Sequence, residues 1–282
     1  MKTEKPATFD YVRPVKMLGQ NFLIDKAIIN KLINEATIQK GDAILEIGPG
    51  TGNLTQALAE KARLVVAIEK DQTLCPLLEE DFKKRGINNV RVICGDALKT
   101  DIGALFPNNS YKIVANLPFY ISAPIIRKFL ESENQPSLMV LLVQKEVGQR
   151  ICAKPPKMNL LAISVQFYSQ TTLLGFVSKK SFRPKPNVDG AITKIVPLSK
   201  GAREQVDISL FFKIVKNGFA HPRKQLINNL SFWPENKETL KQAREKCAAW
   251  LLENKISPTR RPETLTLNEW ISLVEKFPFK SL

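Results

Sequence analysis

Four apolar runs, each ending in a particular polar or glycine residue, constrain this chain more than any other feature. Asp42-Ala43-Ile44-Leu45-Glu46-Ile47 reads as a short buried strand, and Gly48-Pro49-Gly50-Thr51-Gly52 follows it directly. Asn53 to Ala59 then reads as a helix with Asn53 as its N-cap. A second run, Leu64 to Ile68, ends at Glu69, and a third, Val90 to Cys94, ends at Gly95-Asp96-Ala97. A fourth, Tyr111 to Ala115, delivers Asn116-Leu117-Pro118-Phe119. Strands alternating with helical stretches build a largely parallel sheet, and such sheets bind ligands at the carboxyl ends of their strands. The expected class is therefore α/β, with Gly, Glu, Asp and Asn gathered along one edge.

Each of those residues suits one part of a nucleoside. A glycine-rich turn between strand and helix lets a ligand come close to the backbone. A carboxylate about twenty residues further on, here Glu69, is placed to accept from both ribose hydroxyls. Asp96 can accept from the amino group of a cofactor adenine. The loop is Gly-x-Gly-x-Gly, not the Gly-x-Gly-x-x-Gly of nicotinamide dinucleotide sites, and the single histidine, His221, lies far down the chain. S-adenosylmethionine fits this set better. In Asn116-Leu117-Pro118-Phe119, the Asn carboxamide oxygen and the Leu117 carbonyl can converge on an exocyclic amino group. Pro118 fixes the chain and Phe119 offers a ring for stacking. The segment suits an adenine taken out of its stack and held by its N6 edge.

The chain resembles the bacterial rRNA adenine N6,N6-dimethyltransferases of the KsgA type. The resemblance rests on Lys16-Met17-Leu18-Gly19-Gln20-Asn21-Phe22-Leu23, Glu46 to Gly52 and Asn116 to Phe119. It extends through Phe182-Arg183-Pro184-Lys185-Pro186-Asn187-Val188-Asp189, Pro222 to Leu230 and Arg261-Pro262-Glu263-Thr264-Leu265, so that it runs from about Val15 to the C-terminus. It implies a Rossmann-like seven-stranded class I methyltransferase domain over 16–198, with a reversed edge strand, and a small C-terminal helical RNA-binding domain over 202–282. It also implies dimethylation of two adjacent adenosines near the 3′ end of 16S rRNA in an immature small ribosomal subunit. By the same resemblance, Gln20, Asn21, Leu23, Gly48, Gly50, Glu69, Lys70, Asp96, Ala97 and Asn116 would contact S-adenosyl-L-methionine. Asn116, Leu117, Pro118 and Phe119 would form the catalytic segment. Three departures stand out: Phe119 where many members have Tyr, Asp189-Gly190 for Asp-Ser, and Pro155 to Leu161 for a Tyr-Gly-Arg-Leu stretch.

Charge agrees with a polyanionic partner: 42 Lys and Arg against 27 Asp and Glu give a formal +15. The expected RNA contacts are Arg183, Lys185, Arg223 and Lys224, with Phe182 either a ring on the second face of the flipped base or a hydrophobic plug under its loop. The four cysteines are scattered without a Cys-x-x-Cys pair, which predicts free thiols in a reducing compartment and no zinc site. No apolar run is long enough to cross a membrane, and a cytoplasmic monomer is expected. Residues 1–15 read as a flexible basic arm. Leu173–Val177 and Ala191–Val196 read as an antiparallel pair, and Ile208–Val215, 238–252 and Leu267–Lys276 as helices. Three other readings stay open. Large-subunit rRNA methyltransferases conferring antibiotic resistance tend to carry Asn-Ile-Pro-aromatic, and DNA adenine methyltransferases Asp/Asn-Pro-Pro-aromatic. The third is a non-catalytic RNA-binding assembly factor.

Overall fold

The computed structural model describes residues 20–107, 111–199, 201, 203–231 and 239–278. The 1–15 arm, residues 16–19 of the first motif, Lys200 and Glu238 lie outside the described residues.

Nine strands are present among the described residues: β1 (Phe22–Leu23), β2 (Ala43–Ile47), β3 (Leu64–Glu69), β4 (Val90–Cys94), β5 (Lys112–Asn116), β6 (Leu138–Gln144), β7 (Ser169–Val177), β8 (Phe182–Arg183) and β9 (Gly190–Pro197). Seven form one sheet in the order β4-β3-β2-β5-β6-β9-β7, and β1 pairs with β8 in a separate two-stranded ribbon. The central strands are mostly apolar because helices cover both faces of a parallel sheet; every residue of β2 is buried, Glu46 among them. Strand order reverses between β2 and β5, so the ends of β2, β3 and β5 open on one crevice, the usual ligand position in such sheets.

Two topological expectations need correction. The reversed strand is not at the edge: β9 lies between β6 and β7 and is antiparallel to both. The chain runs out along β7 and turns back to insert β9 between that strand and β6. Residues 150–168 also do not stay with the sheet. The chain forms two compact units, one of residues up to Gln149 with Ser169–Pro197, the other of Arg150–Tyr168 with residues from Leu198 on. In the second unit Met158, Ala162, Ile163 and Phe167 are buried among Phe211, Ile214, Leu226, Trp250 and Trp270. Apolar residues on the Leu160–Gln166 helix are thus covered by helices distant in sequence. Asn159 caps that helix by accepting from the Ala162 N–H at 3.0 Å, which gives the unusual Pro155–Leu161 stretch a local role. The other helices of this unit include Ile208–Gly218, Leu240–Glu253 and Leu267–Glu275, close to the three expected spans.

The expected four free thiols are also corrected. Cys75 and Cys94 form a disulfide with Cα atoms 5.9 Å apart, while Cys152 and Cys247 are free. Glu69 of β3 lies opposite Cys94 of β4, and the Leu74–Lys84 helix starts just past β3, so both cysteines reach one edge of the sheet. A separation of 19 residues carries no local sign of that.

Candidate functional site

The glycine loop is built for close approach. Gly48, Gly50 and Gly52 all have positive φ. Gly50 is the most constrained, at φ +59, where a Cβ would sit 2.6 Å from the Phe22 ring. Backbone strain and steric overlap exclude any side chain there. Gly52, not Asn53, is the N-cap of the Asn53–Ala59 helix, and no side chain caps it. The Asn53 carboxamide is used elsewhere: its Nδ2 donates to the Leu23 carbonyl at 3.0 Å. That bond, with the β1–β8 pairing of Leu23 and Phe182, draws the Gln20-Asn21-Phe22-Leu23 segment over the loop.

Glu69 ends β3 with its carboxylate turned into the crevice. Oε2 accepts from the Gly50 N–H at 3.1 Å and Oε1 from the Asp71 N–H at 2.8 Å. An ionised carboxylate accepts about four hydrogen bonds, so each oxygen keeps capacity for one ribose hydroxyl. Burial raises the Glu69 pKa, while the Asp71 and Gly50 N–H groups oppose the shift. Replacing Glu69 by Ala would leave both hydroxyls of a bound nucleoside unmatched. Cofactor affinity is expected to fall by about 1–3 kcal/mol, read by calorimetry with S-adenosylmethionine; an unchanged affinity would remove Glu69 from the site.

Asn116 ends β5 at the opposite wall. Its Nδ2 donates to the Asn21 carbonyl at 3.0 Å. A backbone carbonyl can only accept, so this bond fixes the amide orientation and turns Oδ1 the other way. That oxygen is buried and has no hydrogen-bond partner. An orphaned acceptor of this kind costs free energy unless a donor arrives from outside the fold. Leu117 is buried and its N–H donates to the Leu142 carbonyl at 3.0 Å. After Pro118, Phe119-Tyr120-Ile121 forms one 3₁₀ turn, which sets Phe119 half-buried and Tyr120 half-exposed at the mouth of the cavity.

The same cavity is lined by Gln20, Asn21, Leu23, Gly48, Gly50 and Lys70. Asp96 and Ala97 lie beside it. Asp96 accepts from the Leu98 N–H and pairs with Lys70 at 3.1 Å, and these contacts hold its carboxyl below the usual range. The Ala97 carbonyl accepts from the Lys128 ammonium at 2.9 Å, which ties the loop after β4 to the Ser122–Glu131 helix. Phe182 is elsewhere. It is 3% exposed, packed with Leu23, Val177 and Ile192, and is not part of the cavity wall. Arg183 and Lys185 are exposed in the first unit, Arg223 and Lys224 in the second.

Glu46 was not among the expected site residues. It is buried on β2, lines the cavity, and its Oε2 has no hydrogen-bond partner. Burial pushes its carboxyl up to about 8. The signal for it was present in the sequence: one ionisable residue inside an otherwise apolar strand, two places before the first glycine. Tyr120 carried no such signal.

A model of the family described as ribosomal RNA adenine dimethylase matches residues 14–272. The chain belongs to this family. Ribosomal RNA small subunit methyltransferase A of Dehalococcoides mccartyi is 39% identical over 260 residues, covering 92% of this chain and 87% of the relative. The protein of that name from Bacillus cereus is 40% identical over 270 residues, with 92% and 89% covered. Among solved structures, a dimethyladenosine transferase from Plasmodium falciparum superposes with a TM-score of 0.72 at 28% identity, covering 91% of this chain and 97% of that one. The 23S rRNA methyltransferase ErmE, at 23% identity, shares the fold with a TM-score of 0.70. As a member of the dimethylase family the chain is a methyltransferase, and its cofactor is S-adenosylmethionine. The positive-φ glycine turn and the Glu69 carboxylate suit that group. Among the described residues no cluster could hold a metal ion, and no helix is long and apolar enough to cross a membrane.

Proposed function

We propose that this chain dimethylates the N6 amino groups of two adjacent adenosines near the 3′ end of 16S rRNA, within an immature small ribosomal subunit, acting as a cytoplasmic monomer. The observation that carries the reading is the orphaned Asn116 Oδ1, an acceptor held at a strand end beside half-buried Phe119. The names of the relatives support the small-subunit substrate.

Bound S-adenosylmethionine supplies a sulfonium methyl group as the electrophile. Adenine N6 is a weak nucleophile because its lone pair is delocalised into the ring. Asn116 Oδ1 and the Leu117 carbonyl accept from the N6–H groups and draw the nitrogen towards tetrahedral geometry, so the lone pair can aim at the methyl. The same acceptors stabilise the positive charge that develops on N6. Phe119 stacks on one face of the base. Most of the rate comes from this positioning. Gln20, Asn21, Leu23, Gly48, Gly50, Glu69, Lys70, Asp96 and Ala97 serve as the cofactor contacts in this reading, Asp96 and Ala97 from beside the cavity. Phe182 supports β1 from the core.

The test is radiolabelled methyl transfer to unmodified small subunits, naked small-subunit rRNA, large-subunit rRNA and DNA. Dimethyladenosine in the small subunit alone is expected; labelling confined to large-subunit rRNA or DNA would overturn the reading. Arg183, Lys185, Arg223 and Lys224 are proposed phosphate contacts. Each should lower the salt slope of RNA binding by about one when replaced. Titration of small-subunit rRNA across salt, for wild type and Arg223→Ala/Lys224→Ala, checks the second pair. Coincident slopes would remove both residues from the RNA interface.

A further inference from the structure

A second cavity of about 350 Å³ lies on the same sheet edge as the Asn116 site, and nothing in the reaction above uses it. Its amides come from Gln144, Gln149 and Asn187, and its ammonium groups from Lys145 and Lys179. Asn116 of β5 is opposite Leu142 of β6, and Gln144 is two residues further along that strand. With strands ~4.8 Å apart and a rise of ~3.3 Å per residue, the Asn116 and Gln144 Cα atoms are about 8 Å apart. One sugar-phosphate step bridges that distance.

We propose that this cavity takes the base of the RNA nucleotide next to the target adenosine. The inference rests on the reading of the Asn116 site as an RNA adenine site. Three features select a base over a phosphate. The two lysines are matched by Glu146 and Asp189 in the same wall, so the cavity has no net positive charge to hold the monoanionic phosphodiester of an RNA backbone. Asp189 is also occupied in part, its Oδ1 accepting from the Lys179 N–H at 3.0 Å. What remains is a set of primary amides, which donate and accept side by side and match the N6/N7 edge of adenine. The Lys145 ammonium of the cavity wall lies over the Phe176 ring, 4.9 Å from its centroid, and that ring is 52% exposed. An exposed ring beside a cation is a platform on which single-stranded nucleic acid stacks. The neighbour of the target is then held while the target is in the Asn116 site, so the cavity selects a pair of adjacent adenosines.

The test uses small subunits reconstituted on unmodified rRNA, with the adenosine beside the target kept or changed to uridine. Single-turnover transfer to the remaining adenosine is measured for wild type and Gln144→Ala/Gln149→Ala. The uridine change should slow wild type about 10-fold, and the double variant should be about 10-fold slower on the native sequence. The variant should lose nothing more on the uridine substrate, because the contact is already gone. Calorimetry should give it wild-type affinity for S-adenosylmethionine. If the pair fails to fold, Gln149→Ala alone, at an exposed helix position, provides the comparison. Wild-type indifference to the uridine change, or two losses that multiply, would overturn the proposal. Absence of methyl transfer by wild type to native-sequence particles would instead overturn the functional reading, and the proposal with it.

Discussion

Asn116→Ala is expected to cut the methyl-transfer rate by about 10²–10³-fold, by analogy with the loss of one preorganised hydrogen-bond donor from an oxyanion hole. The argument is geometric. Asn21 receives the amide nitrogen, so the oxygen is aimed before any substrate arrives and need not reorganise during the reaction. The fold should survive, because the substitution removes one hydrogen bond worth about 1 kcal/mol and leaves Leu117, Pro118 and the β5–β6 ladder in place. RNA affinity should persist, since phosphate contacts on the basic surfaces supply most of it. Single-turnover rates, RNA titration and thermal melting on one preparation decide the matter. A near-normal rate would reduce the Asn116–Phe119 segment to a structural turn.

Glu46→Gln is expected to stabilise the ligand-free protein at alkaline pH. The ordinary carboxyl value of 4.5 applies in the unfolded chain, and burial raises it to about 8 in the native one. Between those values the native state holds a proton that the unfolded state releases. Stability therefore falls as pH rises through that window and levels off above it. A shift of this size corresponds to on the order of 4 kcal/mol lost by pH 8.5. Glutamine is neutral and nearly isosteric, so the variant should lack this slope. Denaturant unfolding of both proteins at pH 5 and pH 8.5 measures it. A stability difference between them that does not change with pH would show that Glu46 ionises normally. Cofactor affinity of the variant then reports what the carboxyl contributes to the cavity.

Much of the cofactor crevice was legible because its parts are local. A strand that ends in glycines needs no distant partner to declare a tight turn, and Gly50 has φ +59 there. Glu69 and Asn116 end strands whose apolar runs are visible residue by residue. Elsewhere the decision belonged to residues far apart in the chain. Asn53 is a good N-cap by type, yet its amide is worth more against the Leu23 carbonyl, which only the β1–β8 ribbon brings near. Phe182 follows a basic run and reads equally as an exposed stacker or as a plug under its loop. Its position opposite Leu23 instead puts the ring into the core, where an aromatic side chain gains most from burial. The Cys75–Cys94 pairing and the transfer of residues 150–168 to the second unit likewise depend on packing between distant segments.

By itself the sequence determined the α/β class, the approximate positions of the strands of the sheet, the resemblance to its family and the chemistry that each strand end can offer. The resemblance rests on its motifs, and the rest follows from side-chain periodicity and from backbone demands that act within a few residues. Only the tertiary structure decided which offers are taken up. It placed β9 inside the sheet, left Asn116 Oδ1 and Glu46 Oε2 without partners, and opened a second cavity beside Gln144. Whether a polar atom is satisfied, and whether a ring faces water, depends on what the rest of the chain packs against it.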